Sequence, residues 1–289
     1  MINLLKMSTE KQNIAFPYYG GKQKHVKDIV PMLPRTTSYC EPFCGSAAIL
    51  LNRDPVEIET ISDLNDDIAN FFQVLRDRPD DLIRLLELTP FSRKELQDAW
   101  YYHPDPVERA RRLFVRTTID TAKAGRKQDT GFSCSVVYYK GKHSYPPKNF
   151  AKKVYNLDKI AMRLRMVQIE NRPALFVIDR FDSYDTLFYC DPPYLHDSRT
   201  SGNDYKYEMS VQDHEDLATK LNTCKGLVCV SGYDHPMMDE LYSAKNGWYK
   251  FGFKARRVPM SKKRLTRQEI IWTNYDPLTL CGQTKLNLD

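Results

Sequence analysis

The sequence predicts an α/β fold: a largely parallel sheet interrupted by an inserted, mostly helical segment that carries a β-hairpin. Three observations carry this. Residues 38–76 read strand, helix, strand, helix, a βαβ unit that implies parallel pairing. Residues 77–165 run through successive helical spacings around one β-branched stretch. Strand signals then return between residues 166 and 275.

In chain order, residues 24–33 have helical spacing and 38–43 form a short strand. Residues 46–52 open a helix of small residues, and 57–62 make the second strand. Residues 66–76 form a helix with Ile68, Phe71, Phe72 and Leu75 on one side. Stretches 80–88, 93–102 and 107–121 continue as helices. Residues 125–147 gather Gly, Ser, Tyr and Lys around a β-branched run at 135–139, with a hairpin turn at 140–142. Helical spacing resumes over 150–165. Strands are expected at 166–170, 186–190, 226–231, 248–253 and 268–275, and a helix at 212–221. One discontinuous domain is therefore assigned to 12–76 and 171–276, and the insert to 77–170.

With 289 residues, 42% hydrophobic and 12% aromatic, the chain is no disordered polymer. No apolar run approaches the ~20 residues that span a bilayer, and the first residues lack the layout of a secretory signal. Seven Cys without a CxxC pair argue against a disulfide scaffold or a structural zinc, and for a reducing compartment. The formal charge of +6 is unevenly spread. Residues 109–165 hold fifteen Lys+Arg against three Asp, a net +12, and 253–267 hold seven basic residues and no acidic one. The remainder is at −13, a polarity that suits a polyanion-binding surface on an acidic body.

Four motifs carry chemistry. Residues 40–48 (CEPFCGSAA) set a Gly-containing turn between a strand and a small-residue helix, which brings backbone N–H groups close to a nucleotide-like ligand. Asp63 ends the second strand, placed to accept hydrogen bonds from ribose hydroxyls; Asp63 or Asn65 also suits capping of the next helix. Residues 18–22 (YYGGK) lack the spacing of a phosphate loop, and Gln23 stands where Ser or Thr would hold magnesium. What remains there is a Gly-Gly turn presenting Lys22 and an aromatic ring. Finally, 188–194 (FYCDPPY) is an apolar strand ending in a carboxylate, two prolines and a tyrosine. Asp191 and the Pro192 carbonyl can accept both hydrogens of a planar amine, Pro193 stiffens the turn, and Tyr194 can stack on the ring that bears the amine.

In this order, FPYYGGK (16–22), EPFCG (41–45), SDLN (62–65) and DPPY (191–194) resemble the D12 class, or Dam-like α group, of adenine-N6 DNA methyltransferases. The resemblance runs from about residue 16 to 275. It implies a Rossmann-like sheet, S-adenosylmethionine as cofactor and S-adenosylhomocysteine as product. It also implies no metal, double-stranded DNA as partner, and a target-recognition insert between the acidic motif and DPPY. Tyr18, Lys22, Asp63 and Asp191 fall at the family's cofactor-contacting positions, with Phe43 and Gly45 in its cofactor loop. Asp191, Pro192, Pro193 and Tyr194 form its target-base pocket. One departure is Ala47, where the family often has a second Gly; its methyl is tolerated if φ stays negative, and otherwise narrows the loop.

The expected reaction is methyl transfer to N6 of an adenine flipped out of duplex DNA. The hairpin region, with Arg126, Lys127, Tyr138, Lys140 and Lys142, is the expected DNA contact, and the polar loop 196–209 is expected to order over the flipped base. A cytosine-N4 or other nucleic-acid amino-methyltransferase and a catalytically silent DNA-binding protein are the alternatives. Asp191 in place of Ser before PPY weighs against a cytosine-N4 enzyme, and intact Lys22, Asp191 and Tyr194 against lost catalysis. The chain reads as cytoplasmic, in a bacterium or in the host of a phage that encodes it, and as a monomer or weak dimer.

Overall fold

The computed structural model describes residues 13–120, 131–134, 145–195, 207–253, 256–257 and 266–281. The chain enters through a 3-10 turn (Lys22–Lys24), a single helical turn α1 (Val26–Ile29) and a second 3-10 turn (Val30–Met32), so the helix expected at 24–33 forms in pieces. Pro31, which lacks an N–H, lies in the second 3-10 turn just past α1, and Pro34 follows the turn's end. Next come β1 (Ser38–Glu41), β2 (Ile58–Ser62) and α2 (Asp66–Asp77). α3 (Pro79–Glu87), α4 (Arg93–Asp98) and α5 (Pro106–Ile119) lead on to α6 (Pro146–Val154) and α7 (Leu157–Leu164). β3 (Val167–Glu170), α8 (Ala174–Phe181), β4 (Thr186–Cys190), α9 (Val211–Asn222), β5 (Leu227–Tyr233) and α10 (Pro236–Leu241) return the chain to the sheet. It ends with β6 (Tyr249–Gly252), a two-residue ribbon of β7 (Arg256–Arg257) and β8 (Thr266–Arg267), β9 (Glu269–Thr273) and α11 (Pro277–Leu280).

Seven strands form one sheet in the order β3-β2-β1-β4-β5-β9-β6. β3, β2, β1, β4 and β5 pair in parallel, and β9 runs antiparallel between β5 and β6. The chain leaves β1 toward one edge and resumes at β4 on its other side. That reversal opens a crevice at the carboxyl ends of β1 and β4, where open α/β sheets take their ligands. It is a Rossmann-like arrangement, as expected. β3, at residues expected to close the insert, pairs with β2 and belongs to the sheet.

Alternate strand residues feed two cores, as period-2 geometry requires. Tyr39, Leu187 and Tyr189 join Phe71, Phe72 and Phe114 on one face, and Cys40, Phe188 and Cys190 join α8 and α9 on the other. All five β4 residues are buried, which is why this strand reads as a continuous apolar run. Phe71 packs edge-on to Phe16 at 4.9 Å and stacks on Phe114 of α5 at 6.3 Å; Phe114 meets Phe150 of α6 at 5.6 Å. The helices of the insert thus share a core with the sheet domain.

The basic window is partly spoken for. Arg109 and Arg116 of α5 reach Asp66 and Asp67 at the start of α2 (2.8–3.1 Å). Arg111 bridges Glu95 and Glu108, Arg112 binds Glu108, and Arg163 pairs with the buried Glu59 of β2. Burial would raise Glu108, but hydrogen bonds from Arg111 and Arg112 hold its carboxyl down at about 2. Five of the fifteen basic residues therefore brace helices instead of facing a polyanion.

The helix expected at 46–52 does not form. Turns succeed β1, ending in a 3-10 turn at Leu50–Asn52. The reason lies in two left-handed residues, Gly45 at φ +49° and Ala47 at φ +51°, which a right-handed helix cannot contain. The condition set for an unstrained methyl at Ala47, a negative φ, is thus not met. Its methyl is fully buried among the core residues and does not line the crevice, so it leaves the loop's width unaltered. Glycine there would relieve ~1–2 kcal/mol of left-handed strain. It would lose ~0.8 kcal/mol of buried methyl and ~0.4–1 kcal/mol through a freer unfolded chain. Ala47→Gly is therefore expected to shift stability by less than ~1 kcal/mol, and Ala47→Val to destabilise by more than ~2 kcal/mol. Urea unfolding of both variants checks this.

Candidate active site

The crevice at the carboxyl ends of β1, β2 and β4 is a cleft of about 280 Å³. Its walls include Tyr18, Lys22, Glu41, Phe43, Gly45 and Asp63 from the N-terminal third. Asp191, Pro193, Tyr207 and Met209 close it from the other half. Of the expected cofactor residues, all six line this cleft. Of the DPPY turn, Asp191 and Pro193 do; Pro192 and Tyr194 are buried and are not among its lining residues. Arg126, Lys127, Tyr138, Lys140 and Lys142 lie outside the described residues, as does most of the loop 196–209.

The turn after β1 is stitched to the end of β2. Asp63 accepts the Gly45 N–H through Oδ2 and the Asn65 N–H through Oδ1, both at 2.9 Å, and Cys44 N–H reaches the Ser62 carbonyl. Asn65, not Asp63, caps α2 by accepting the Asp67 N–H. Gly45 is required twice over. Its φ is positive, and a Cβ there would stand 3.2 Å from Cδ1 of Tyr18. The Tyr18 ring thus packs close to the Gly45 backbone, with Asn65 hydrogen-bonding its hydroxyl.

Four elements converge on Asp191. Lys22 Nζ donates to its Oδ1 at 2.6 Å, and Ser231 Oγ of β5 donates to the same oxygen at 3.0 Å. The Tyr189 hydroxyl donates to Ser231 at 3.1 Å. Lys22 also donates to the Gly20 carbonyl and lies 3.6 Å from Glu269 Oε1 of β9. Tyr194 donates its hydroxyl to that same Glu269 oxygen at 2.5 Å, its ring 4.6 Å beneath the Lys22 ammonium and edge-on to Tyr233. On the far side, His214 Nε2 stands 3.0 Å from the Pro193 carbonyl. A carbonyl only accepts, so this nitrogen carries the proton.

Burial opposes charge on Lys22, yet Asp191 and Glu269 more than offset it and hold the ammonium above the usual lysine range. Burial raises the Glu269 carboxyl against the pull of Lys22. Glu41 is pushed up to about 7 by burial, against hydrogen bonds from the Tyr39 hydroxyl and the Leu50 backbone. Burial likewise raises the thiols of Cys40, Cys44 and Cys190, which makes them packing groups beside the site.

Sequence reasoning missed Glu41, Ser231, His214 and Glu269. Two left a trace: Glu41 and Glu269 are each a carboxylate in a buried strand, a residue type that is almost never fully buried without a partner.

The chain matches the D12 class N6 adenine-specific DNA methyltransferases over residues 18–256. It is 26% identical over 290 residues to a type II methyltransferase of Lactococcus lactis subsp. cremoris, covering 95% of this chain and 99% of that one. It is 25% identical over 222 residues to a DNA adenine methylase of Serratia marcescens, covering 72% and 77%. A DNA adenine methylase of Vibrio cholerae serotype O1 is 24% identical over 253 residues, covering 81% and 86%.

Lys22→Met would leave Asp191 and Glu269 as neighbouring carboxylates without their cation. Removing one member of a buried pair costs ~3–5 kcal/mol. The Glu269 carboxyl, already raised by burial, then has no cation to draw it down and its folded pKa lies above its unfolded value, so the loss is full near pH 8 and shrinks as pH falls toward 5. Chemical denaturation at both pH values checks the magnitude and the sign.

Proposed function

The chain belongs to the D12 class of N6 adenine-specific DNA methyltransferases, and from that premise we propose how its own residues carry out methyl transfer to adenine. The observation that carries the reading is the carboxylate of Asp191 at the carboxyl end of β4, gripped through Oδ1 by Lys22 and Ser231. With both donors on Oδ1, Oδ2 is the oxygen left to receive a hydrogen of the target amine.

Adenine N6 is a poor nucleophile because its lone pair is delocalised into the ring, and inside a duplex it is stacked out of reach. Flipping it out costs a few kcal/mol. Asp191 Oδ2 and the Pro192 carbonyl accept the two amine hydrogens and draw the nitrogen toward a pyramidal geometry, which localises the lone pair for attack. The Asp191 charge then faces the positive charge that builds on nitrogen. His214 holds the Pro193 carbonyl, and Glu269 holds the Tyr194 hydroxyl, so the turn enters the reaction already in position. Tyr194, buried between Lys22 and Tyr233, backs the turn and fixes the edge formed by Asp191 and Pro193.

Family membership implies S-adenosylmethionine, which supplies a methyl group on a sulfonium. The cleft fits a cationic nucleoside. Glu41 and Asp63 offer carboxylates, Phe43, Leu64 and Leu175 offer apolar surface for a ring, and the Gly45 cradle has no room for a side chain. Asp63 serves two ends in this reading, holding the loop through backbone N–H groups and accepting from ribose hydroxyls. Double-stranded DNA is contacted by the insert, through Arg126, Lys127, Tyr138, Lys140 and Lys142. No helix among the described residues is long and apolar enough to cross a membrane.

The deciding experiment is transfer of labelled methyl from S-adenosylmethionine to duplex DNA. Asp191→Ala is expected to lose transfer by a factor of ~1,000 or more, and turnover within about tenfold of the parent would overturn the assignment. A second outcome concerns pH. The Glu41 carboxyl is largely protonated below about 7 and must release its proton to meet a cationic ligand. Cofactor affinity is therefore expected to rise from pH 6 to pH 8 and then level, and Glu41→Gln to flatten the rise in calorimetric titrations.

A further inference from the structure

Lys22 carries one positive charge and faces two carboxylates, the half-buried Asp191 at 2.6 Å and the buried Glu269 at 3.6 Å. Asp191 lies just past β4, while Glu269 opens β9, beyond residue 256 where the family match ends. Paired with Lys22 alone, Asp191 would present almost no net charge to an approaching cation. The third group returns the cluster to a net charge of minus one. Glu269 is 4% exposed, so its field is little screened by water. It also receives the Tyr194 hydroxyl at 2.5 Å, so one side chain sets both the charge balance and the ring behind the turn.

We infer that Glu269 is a positioning residue for methyl transfer: it takes up the charge of Lys22, leaving the field of Asp191 directed at the target amine, and it anchors Tyr194. The inference rests on the reading of Asp191 given above. Lys22 is faced by Asp191 beside β4, Glu269 of β9, the ring of Tyr194 and Tyr233 of β5. Glu269 in turn is faced by Lys22, Asp191, Tyr194 and Tyr189. A carboxylate beside an ammonium favours its protonated form, so loss of Glu269 lowers the pH at which Lys22 gives up its proton.

The test is single-turnover methyl transfer with saturating S-adenosylmethionine and duplex DNA from about pH 6 to pH 10, comparing the parent with Glu269→Gln, Glu269→Asp and Asp191→Ala. Glutamine keeps the size and an acceptor for Tyr194 while removing the charge. It is expected to lower the maximal rate roughly 10- to 100-fold. KM for cofactor and DNA should stay within about threefold, Tm should not fall, and the basic limb of the rate profile should move to lower pH. Aspartate, which keeps the charge, should hold the basic limb in place and recover part of the rate. A parental rate and limb in Glu269→Gln would overturn the inference. So would equal losses in both Glu269 variants with an unmoved limb, which would make the residue merely structural. Activity in Asp191→Ala would overturn the underlying active-site reading instead, whereas an inactive Asp191→Ala beside a parental Glu269→Gln sinks only the role of Glu269.

Discussion

The contact between Lys22 and Asp191 joins residues 169 positions apart, and the rest of the site is arranged around it. A buried ammonium is tolerable only if its charge is answered, and a buried carboxylate only if its oxygens are hydrogen-bonded. The Gly20-Gly21 turn brings Lys22 inward, β4 delivers Asp191 at the sheet's switch point, β5 adds Ser231 and β9 adds Glu269. Each answers a requirement that the others create. Such a network is rigid because no member can leave without stranding another.

Charge in the helices between β2 and β3 also has a structural meaning. Arg109 and Arg116 tie α5 to the acidic first turn of α2, where negative side chains also suit the helix dipole. Arg111 and Arg112 share Glu108, and Arg163 reaches across to β2. With Phe114 and Phe150 stacked into the same core as Phe71, these pairs make the helical insert continuous with the catalytic sheet.

The sheet, most of its helices and the cleft's walls were legible because buried strands leave apolar runs and because DPPY, EPFCG and SDLN sit at strand ends. The segment after β1 was not legible. Small residues at 46–52 read as a helix start, and nothing in the sequence reports that Ala47 takes a left-handed φ that only its surroundings can enforce. The ion pairs inside the charge window were hidden for a related reason: a count of Arg residues is blind to Asp66, Asp67, Glu59 and Glu95, which lie far away in sequence and close in space. Glu269 stood in a strand that was correctly expected, but its partners Lys22 and Tyr194 are some 250 and 75 residues away, and no local pattern connects them.

The order of the sheet has a consequence for the life of the chain before it is finished. β6 is made before β9, yet its neighbour in the sheet is β9, which inserts between β5 and β6. Until the segment 269–273 has left the ribosome, β5 has an open edge and β6 has nowhere to pair. The same late strand brings Glu269 to Lys22. A nascent polypeptide that already displays every one of the four motifs thus still lacks the strand that seats β6 in the sheet and the carboxylate of Glu269 beside Lys22.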